Sequence, residues 1–200
     1  MTSQVSAIVL AAGSSKRMGK LKQLLPLGGK PVIMHSLDAI IESGITDIVV
    51  VLNPAEKEIE TTVRHLPLTI VFNNNLGSEM AESVRIGLRS VLNDSSGILI
   101  CLSDYPLIKS DTLKILCTWH EKEPNKIIIP ICTNKRGHPT LFPKLCVDEI
   151  FLGFTLRDIV YKDNGRIRLA DVQDKGILYD MDTEDDYKII TDIYLKQLIS

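Results

Sequence analysis

Small and cationic residues follow one another closely near the start of the chain. Five consecutive small residues, the segment 11–15, come directly after an apolar run at residues 5–10. Four cations then share the next eight positions: Lys16, Arg17, Lys20 and Lys22. Small side chains let a ligand approach the backbone, and the N–H groups of such a turn can form a nest for an anion. Because the cations can neutralise several phosphate charges, the stretch 7–25 predicts a nucleotide triphosphate site.

Two better-known phosphate-binding loops do not fit this stretch. A P-loop has four residues between its glycines and continues Gly-Lys-Ser/Thr. Here five residues separate Gly13 from Gly19, and Leu21 follows Lys20. The dinucleotide-binding fingerprint needs a glycine two positions after the first, where this chain has Ser15. The loop is therefore neither a Walker A motif nor a Rossmann NAD loop.

The segments around this loop alternate between strand and helix patterns. Apolar runs predict strands at residues 5–10, 47–52, 68–72, 98–102, 126–131, 167–172 and 176–179. Helical spacing predicts helices after Pro31, at 56–66, after the loop 73–79, at 110–120, 145–150 and 156–161, and at 187–198. Alternation of this kind is typical of a parallel sheet with crossover helices. We therefore expect one α/β domain, residues 1–200, with a mostly parallel, Rossmann-like sheet.

Composition excludes several classes of function. The net charge is −2, from 23 basic and 25 acidic residues, so no global basic field would attract nucleic acid or an anionic membrane. The 4 cysteines form no C-x-x-C pair, and the 4 histidines show no metal-ligand spacing. No apolar segment reaches transmembrane length, and the N-terminus lacks the basic region of a signal peptide. We expect a cytoplasmic protein that binds neither nucleic acid nor a membrane.

Carboxylates follow two of the predicted strands. Asp104 comes directly after the buried strand 98–102, where a carboxylate can hold Mg²⁺ against a triphosphate. Asp180 and Asp182 follow the last predicted strand, and alternation would send both to the same side of an extended chain. They can equally form an acidic helix N-terminus, because Thr183 can cap the helix that follows. Spacing alone leaves both interpretations of this pair open.

The motif at residues 10–25, Leu-Ala-Ala-Gly-x-Ser-x-Arg-Met-Gly-x-x-Lys-x-Leu-Leu, resembles a known signature. It is similar to that of the nucleotidyltransferase family that attaches nucleotides to the molybdenum cofactor, and nearest to the molybdopterin cytidylyltransferase branch. The resemblance implies a three-layer α/β/α sandwich like that of nucleotide-diphospho-sugar transferases, with Mg²⁺ as cofactor. It also implies that the backbone from Leu10 through Ala11, Ala12, Gly13 and Ser14 to Ser15 holds base and phosphates. Arg17 and Lys22 would act catalytically on the triphosphate.

Later segments extend the resemblance over nearly the whole chain. A glycine-led Met-Ala-x-Ser segment lines the base pocket in the family, which implies this role for Gly77, Met80, Ala81 and Ser83. The family's Asp-x-Pro makes Asp104 a catalytic metal ligand, and its Asp-x-Asp-Thr-x-x-Asp segment makes Asp182 the second ligand, with Asp180 as the alternative. Its Gly-His-Pro implies that His138 contacts the acceptor.

The resemblance also implies the substrates. CTP is expected because the guanylyl branch has glycine where this chain has Ala12, whose methyl group should reduce the room for a purine. The acceptor would be the phosphate of molybdopterin, and the product would pass to a molybdenum hydroxylase or its chaperone. Tyr105 stands where the cytidylyl branch often has glutamine, so a sugar or polyol phosphate acceptor stays open. A guanylyltransferase and a non-catalytic nucleotide-binding regulator also stay open.

Overall fold

A mixed β-sheet forms the middle of the molecule in the computed structural model, which describes residues 4–13, 21–75 and 79–198. Its strands are β1 (Val5–Leu10), β4 (Asp47–Leu52), β5 (Thr69–Phe72), β6 (Gly97–Leu102), β7 (Ile127–Cys132), β8 (Lys135–Arg136), β9 (Thr140–Pro143) and β10 (Ile167–Asp171). A separate short hairpin pairs β2 (Pro26–Leu27) with β3 (Lys30–Pro31). In the described ranges the main sheet runs β10-β7-β9-β6-β1-β4-β5, with β8 attached to β7.

Helices connect the strands. The α-helices are α1 (Val32–Glu42), α2 (Lys57–Val63), α3 (Met80–Leu88), α4 (Ser110–Lys122), α5 (Lys144–Val147), α6 (Leu156–Tyr161) and α7 (Glu184–Gln197). Short 3-10 helices cover Lys22–Leu24, Asp148–Leu152, Asn164–Arg166 and Lys175–Leu178. Gly44, at φ 90°, ends the turn after α1 in a left-handed conformation that costs glycine no strain.

The sheet is mostly parallel, as the sequence predicts. Strand β1 is central and parallel to both β4 and β6, β5 continues the parallel run, and β10 is parallel to β7. The exceptions are β8, antiparallel to β7, and β9, which is antiparallel to both of its neighbours, β6 and β7. Parallel strands feeding crossover helices bring the carboxyl ends of β1, β4, β5 and β6 to one edge, where open α/β sheets bind ligands.

Apolar side chains cover the sheet on both faces, which makes three layers. Alternate residues of β1 point to opposite sides: Ala7 and Val9 join a cluster with α1, α2 and α4, whereas Ile8 and Leu10 join a cluster with α3, α5 and α6. All four are buried. The α/β/α arrangement agrees with the predicted fold class, and it explains why these strands read as continuous apolar runs.

One predicted strand is wrong. Residues 176–179 do not extend the sheet; most of them belong to the 3-10 helix Lys175–Leu178. Asp174 begins this turn and accepts a hydrogen bond from the Gly176 N–H at 2.9 Å. A four-residue apolar run carries little periodicity, so a local side-chain cap decided its conformation.

The length and apolar character of a helix decide whether it can cross a membrane. None of the helices within the described ranges combines the two as a membrane span requires.

Two buried histidines predict that acid destabilises the fold. Burial lowers the pKa of His35 and of His120 below the ordinary 6.5. The unfolded chain therefore takes up protons first as the pH falls below 6.5, while the folded chain takes them up only at a lower pH. We expect the free energy of unfolding to drop by up to about 1.4 kcal/mol per pH unit for each histidine between its unfolded and folded pKa values.

Urea unfolding followed from about pH 7.5 to about pH 5.5 measures this slope. His120→Gln should remove the contribution of His120 to this slope, because glutamine takes up no proton in either the folded or the unfolded state. His65→Gln is the matched control, since His65 is exposed after α2. Equal slopes in the wild type and the His120 variant would contradict the assignment.

Candidate functional site

The chain leaves β1 at the carboxyl edge of the sheet with its backbone still anchored. Ala11 is buried, and its N–H donates to the Val51 carbonyl at 3.0 Å. Ala12 is half-buried, and Gly13 is exposed. The Gln23 side chain, itself buried, donates to the Gly13 carbonyl at 3.4 Å and ties the loop's beginning to its end. Ser14, Ser15 and Arg17, with which the predicted phosphate loop continues, lie outside the described residues.

The start of α3 lies beside this loop. Ala12 packs against the apolar cluster that contains Ala81, whereas Met80 is exposed. Ser83 is buried, and its hydroxyl accepts a hydrogen bond from the Asn73 side-chain amide at 2.9 Å. The Asn73 N–H donates to the Leu52 carbonyl at 2.8 Å, which fixes the end of β5 against β4. The apolar cluster against which Ala12 packs thus includes one predicted base-pocket residue, Ala81, and the pocket itself stays a prediction. Gly77 lies outside the described residues.

Lys22 joins two carboxylates from distant parts of the chain. Its Nζ lies 2.6 Å from Asp104 Oδ2 and 2.8 Å from Asp182 Oδ1. The Lys22 side chain is only 13% exposed, Asp104 is 18% exposed and Asp182 is 36% exposed. Burial on its own lowers the pKa of Lys22, but the hydrogen bonds and charges of the two carboxylates outweigh it and raise the pKa above the ordinary 10.5. The lysine is therefore a full cation that offsets the repulsion between the two acids.

One oxygen of this cluster lacks a partner. Asp104 Oδ1 is buried without a hydrogen bond among the residues that the structure describes. A buried carboxylate oxygen normally finds a partner, so this oxygen has the capacity to accept a ligand. In the described ranges no three His, Cys, Asp or Glu side chains group to hold a metal. Two carboxylates suffice for Mg²⁺, which binds one or two of them together with substrate phosphates and water. Asp104 and Asp182 therefore fit the predicted magnesium ion.

Two backbone loops bring Asp104 and Asp182 together. The Met181 N–H donates to the Asp104 carbonyl at 3.0 Å, which joins the loop after β6 to the segment before α7. Thr183 caps α7 in a capping box with Asp186, as the sequence allows. The Asp182 side chain nevertheless reaches Lys22, so this acid belongs to the cluster while its segment also begins a capped helix. Asp180 is exposed, and its charge acts on Tyr105 instead.

Asp174 joins these two loops through hydrogen bonds to both of them. It is buried and accepts hydrogen bonds from the Lys109 N–H at 2.9 Å, the Thr112 hydroxyl at 2.7 Å and the Gly176 N–H. A Cβ at Gly176 would lie 2.1 Å from the Leu107 carbonyl oxygen, so only glycine permits this approach. Lys109 stands at the N-cap of α4, and Asp174 accepts its N–H from across the loop.

An open cleft begins beside the carboxylates. It has a volume of about 480 Å³ and is lined by Tyr105, Lys135, Arg136, Gly137, His138, Ile177, Leu178 and Tyr179. The His138 ring lies 5.0 Å from the Tyr105 ring, centroid to centroid, and its Nδ1 is buried with no hydrogen-bond partner in the described ranges. The His138 N–H donates to the Ile177 carbonyl at 3.0 Å. His138 thus lies where an acceptor could approach Asp104.

The aromatic wall of the cleft is uncharged at neutral pH. Burial lowers the pKa of His138, although the charges of Asp104 and Asp180 oppose this. Burial, together with the charges of Asp180, Asp104 and Asp182, raises the pKa of Tyr105. The neutral phenol and imidazole can donate or accept hydrogen bonds without adding charge to the site.

Sequence reasoning missed several residues of this region. Lys135 and Arg136 are exposed at the cleft, and neither forms an ion pair with any residue in the part of the chain that the structure describes. They follow a tight turn in which Thr133 and Asn134 have φ values of 50° and 62°. The Asn-Lys-Arg-Gly run signals a turn, but nothing in it tells which cavity the turn borders. Gln23, Asn73 and Asp174 carry no motif and are recognised only by their hydrogen bonds.

Curated proteins of known name are similar to part of the chain. Bifunctional protein GlmU of Clostridioides difficile is 29% identical over 159 residues, which are 78% of this chain and 33% of that protein. The chloroplastic 2-C-methyl-D-erythritol 4-phosphate cytidylyltransferase of Oryza sativa is 36% identical over 116 residues, 55% of this chain and 38% of that protein. The chain thus spans about a third of the length of these relatives.

A solved structure matches almost the whole chain. Rv0371c of Mycobacterium tuberculosis superposes with a TM-score of 0.81 at 25% identity, over 96% of this chain and 99% of that chain. A second structure of that protein, a complex with manganese, gives a TM-score of 0.76 at 24% identity, over 95% and 99% of the two chains.

One family model matches the part of the chain that contains Lys22, Asp104 and His138. The model described as the MobA-like NTP transferase domain matches residues 7–156, three quarters of the chain. The chain belongs to the MobA-like NTP transferase domain family.

Proposed function

We propose that this protein is a metal-dependent nucleotidyltransferase that transfers CMP from CTP to the phosphate of molybdopterin. The observation that carries this proposal is the cluster of Lys22, Asp104 and Asp182 at the carboxyl edge of the sheet, between the phosphate loop and the cleft. A protein that only binds a nucleotide has no need of two carboxylates there. The family membership and the cytidylyltransferase among the relatives support the same reaction class.

The chemistry needs positioning and charge neutralisation more than a base. A phosphomonoester is already ionised near neutral pH, so its oxygen can attack the α-phosphorus of CTP directly. The new bond joins acceptor oxygen to the α-phosphorus, the bond from that phosphorus to the bridging oxygen breaks, and pyrophosphate leaves. Mg²⁺ held by Asp104 and Asp182 would supply charge stabilisation. Lys22 and Arg17 would bind the triphosphate oxygens, while His138 would orient the acceptor.

The choice of CTP depends on the walls around the base. Ala12 packs with the cluster of Ala81 at the start of α3, so its methyl group takes up room beside the predicted base pocket. A pyrimidine needs less room than a purine. Pyrophosphate release measured with CTP, GTP, ATP and UTP tests the assignment: release should be fastest with CTP, and a preference for GTP would contradict it.

A sugar or polyol phosphate is the second candidate acceptor. The 36% identical relative is named as acting on 2-C-methyl-D-erythritol 4-phosphate, a polyol phosphate. Tyr105 also lines the cleft, and it stands at the sequence position where the cytidylyl branch often has glutamine. Running the same assay with molybdopterin and with 2-C-methyl-D-erythritol 4-phosphate separates the two acceptors.

The cations of the cleft should act on the acceptor and not on the nucleotide. Arg136→Ala removes an exposed charge that no described carboxylate neutralises, so the acceptor should bind more weakly. Losing one charge-assisted hydrogen bond costs about 1.5–3 kcal/mol, which raises the acceptor KM roughly tenfold to hundredfold while the CTP KM stays unchanged. Steady-state kinetics with each substrate varied measure both. Lys57→Ala on α2 is the control, and equal effects of the two variants would contradict the role.

A further inference from the structure

The position of Lys22 conflicts with the position of a metal ion. The Lys22 ammonium lies between the two carboxylates, within hydrogen-bond distance of one oxygen of each. A Mg²⁺ ion bound to the same two oxygens would lie about 2.0–2.1 Å from each. The ion would then occupy the space of the ammonium and repel its charge. These two oxygens, Asp104 Oδ2 and Asp182 Oδ1, can therefore hold the lysine or the metal, but not both.

The cluster does not have the features of a static structural ion pair. A buried structural pair normally satisfies every oxygen, yet Asp104 Oδ1 has no partner among the described residues. Asp182 remains 36% exposed, so an ion can reach it from solvent. The oxygens that Lys22 contacts are Asp104 Oδ2 and Asp182 Oδ1. Asp104 Oδ1 therefore remains able to accept a further ligand.

An exchange requires the side chain of Lys22 to move. Its backbone begins the 3-10 helix Lys22–Leu24, and the side chain of the next residue, Gln23, donates to the Gly13 carbonyl at the start of the phosphate loop. A lysine carries its charge on a flexible four-carbon stem, so rotamer changes can carry the ammonium from the acids toward that loop. A triphosphate bound there would offer phosphate oxygens in place of the carboxylates.

We propose that Lys22 is an internal cation that closes the metal site of the free protein, and that metal and nucleotide enter together because the triphosphate draws Lys22 off Asp104 and Asp182. This inference rests on the proposed function, since it takes the triphosphate as the alternative partner of Lys22. The free protein then binds divalent metal weakly. By linkage, the triphosphate and the metal strengthen each other's binding by the same factor.

Manganese alone is the probe that tests this exchange. Free Mn²⁺ is counted from its electron paramagnetic resonance signal during titration into the purified protein without nucleotide. Lys22→Met should bind Mn²⁺ at least tenfold more tightly than the wild type, because the ammonium no longer occupies the space between Asp104 Oδ2 and Asp182 Oδ1. The melting temperature of this variant should drop and then recover on addition of Mn²⁺, more than the wild type gains. Lys22→Gln, which also lacks the charge, should behave in the same way.

Three further variants make the result specific. Lys22→Arg keeps a cation and should bind Mn²⁺ as weakly as the wild type. Lys30→Met breaks a lysine–aspartate pair with Asp38 elsewhere and should leave Mn²⁺ binding unchanged. Adding Asp104→Asn to Lys22→Met should abolish the gain. Unchanged or weaker Mn²⁺ binding in both Lys22→Met and Lys22→Gln would overturn the proposal.

The failure of this proposal differs from failure of the proposed function. If the wild type transfers CMP and the Lys22 variants gain no Mn²⁺ affinity, the exchange is wrong and the activity stands. If those variants gain Asp104-dependent affinity while the wild type transfers no nucleotide, the exchange stands and the activity is wrong.

Discussion

Asp104→Asn should abolish nucleotidyl transfer while the protein stays folded. The amide keeps the size of the side chain but loses the charge that faces Lys22 at 2.6 Å and that would hold the metal. A bound metal contributes several kcal/mol of charge stabilisation, so we expect kcat to fall by about 10³-fold or more. Pyrophosphate release at saturating CTP and acceptor measures the loss, with circular dichroism as the check on folding.

Asp38→Asn provides the matched control for this variant. Asp38 also pairs with a lysine, but it lies on α1 away from the cluster. Its removal should change kcat less than twofold, because a partly exposed ion pair contributes about 0–1 kcal/mol to stability and this one lies outside the proposed site. Full activity of Asp104→Asn would remove the metal assignment. Equal losses in the two variants would show that the effect is one of general charge or stability.

Asp174→Ala should weaken both the fold and the site. Its buried carboxylate accepts three hydrogen bonds, from the Lys109 N–H, the Thr112 hydroxyl and the Gly176 N–H. Leaving buried donors unpaired costs about 1–3 kcal/mol each, so we expect a loss of about 3 kcal/mol or more from the free energy of unfolding. Because Asp174 also holds the segment that carries Asp182, kcat should fall beyond what the lost stability explains.

A second variant separates positioning from folding. Asp174→Asn keeps the shape and one accepting oxygen, so most stability should return and kcat should recover with it. Urea unfolding gives the stability, and kinetics at a temperature where both variants are folded give kcat. If Asp174→Ala loses stability but keeps the wild-type kcat, Asp174 has no positioning role.

The central strands could be predicted from sequence because their surroundings are simple. Residues 5–10, 47–52 and 98–102 are covered on both faces, and a continuous apolar run in a short segment leaves few other structures. The place of Asp104 followed from the same logic, since a polar residue after a buried parallel strand lies at the ligand-binding edge. In both cases the apolar pattern of a strand was enough to place the residues.

Long-range pairing could not be predicted. Nothing local in residues 140–143 shows that β9 inserts antiparallel between β6 and β7, because β6 is remote in sequence. The contact of Lys22 with both acids depends on the hydrogen bond between the Met181 N–H and the Asp104 carbonyl, which spacing alone does not reveal. Residues 176–179 were predicted as a strand, wrongly, because their apolar pattern lacked the information that the Asp174 cap supplies.

The fate of the α-phosphate of CTP decides whether this site transfers a nucleotide. The protein is incubated with Mg²⁺, CTP labelled at its α-phosphate, and either molybdopterin or 2-C-methyl-D-erythritol 4-phosphate, and the labelled products are separated. We expect label in a cytidylylated molybdopterin, formed in equal amount with pyrophosphate and absent with Asp104→Asn. Label in the polyol product alone would keep the reaction class and replace the acceptor. Label that appears only in free CMP, or stays in CTP with both acceptors, would contradict nucleotidyl transfer by this site.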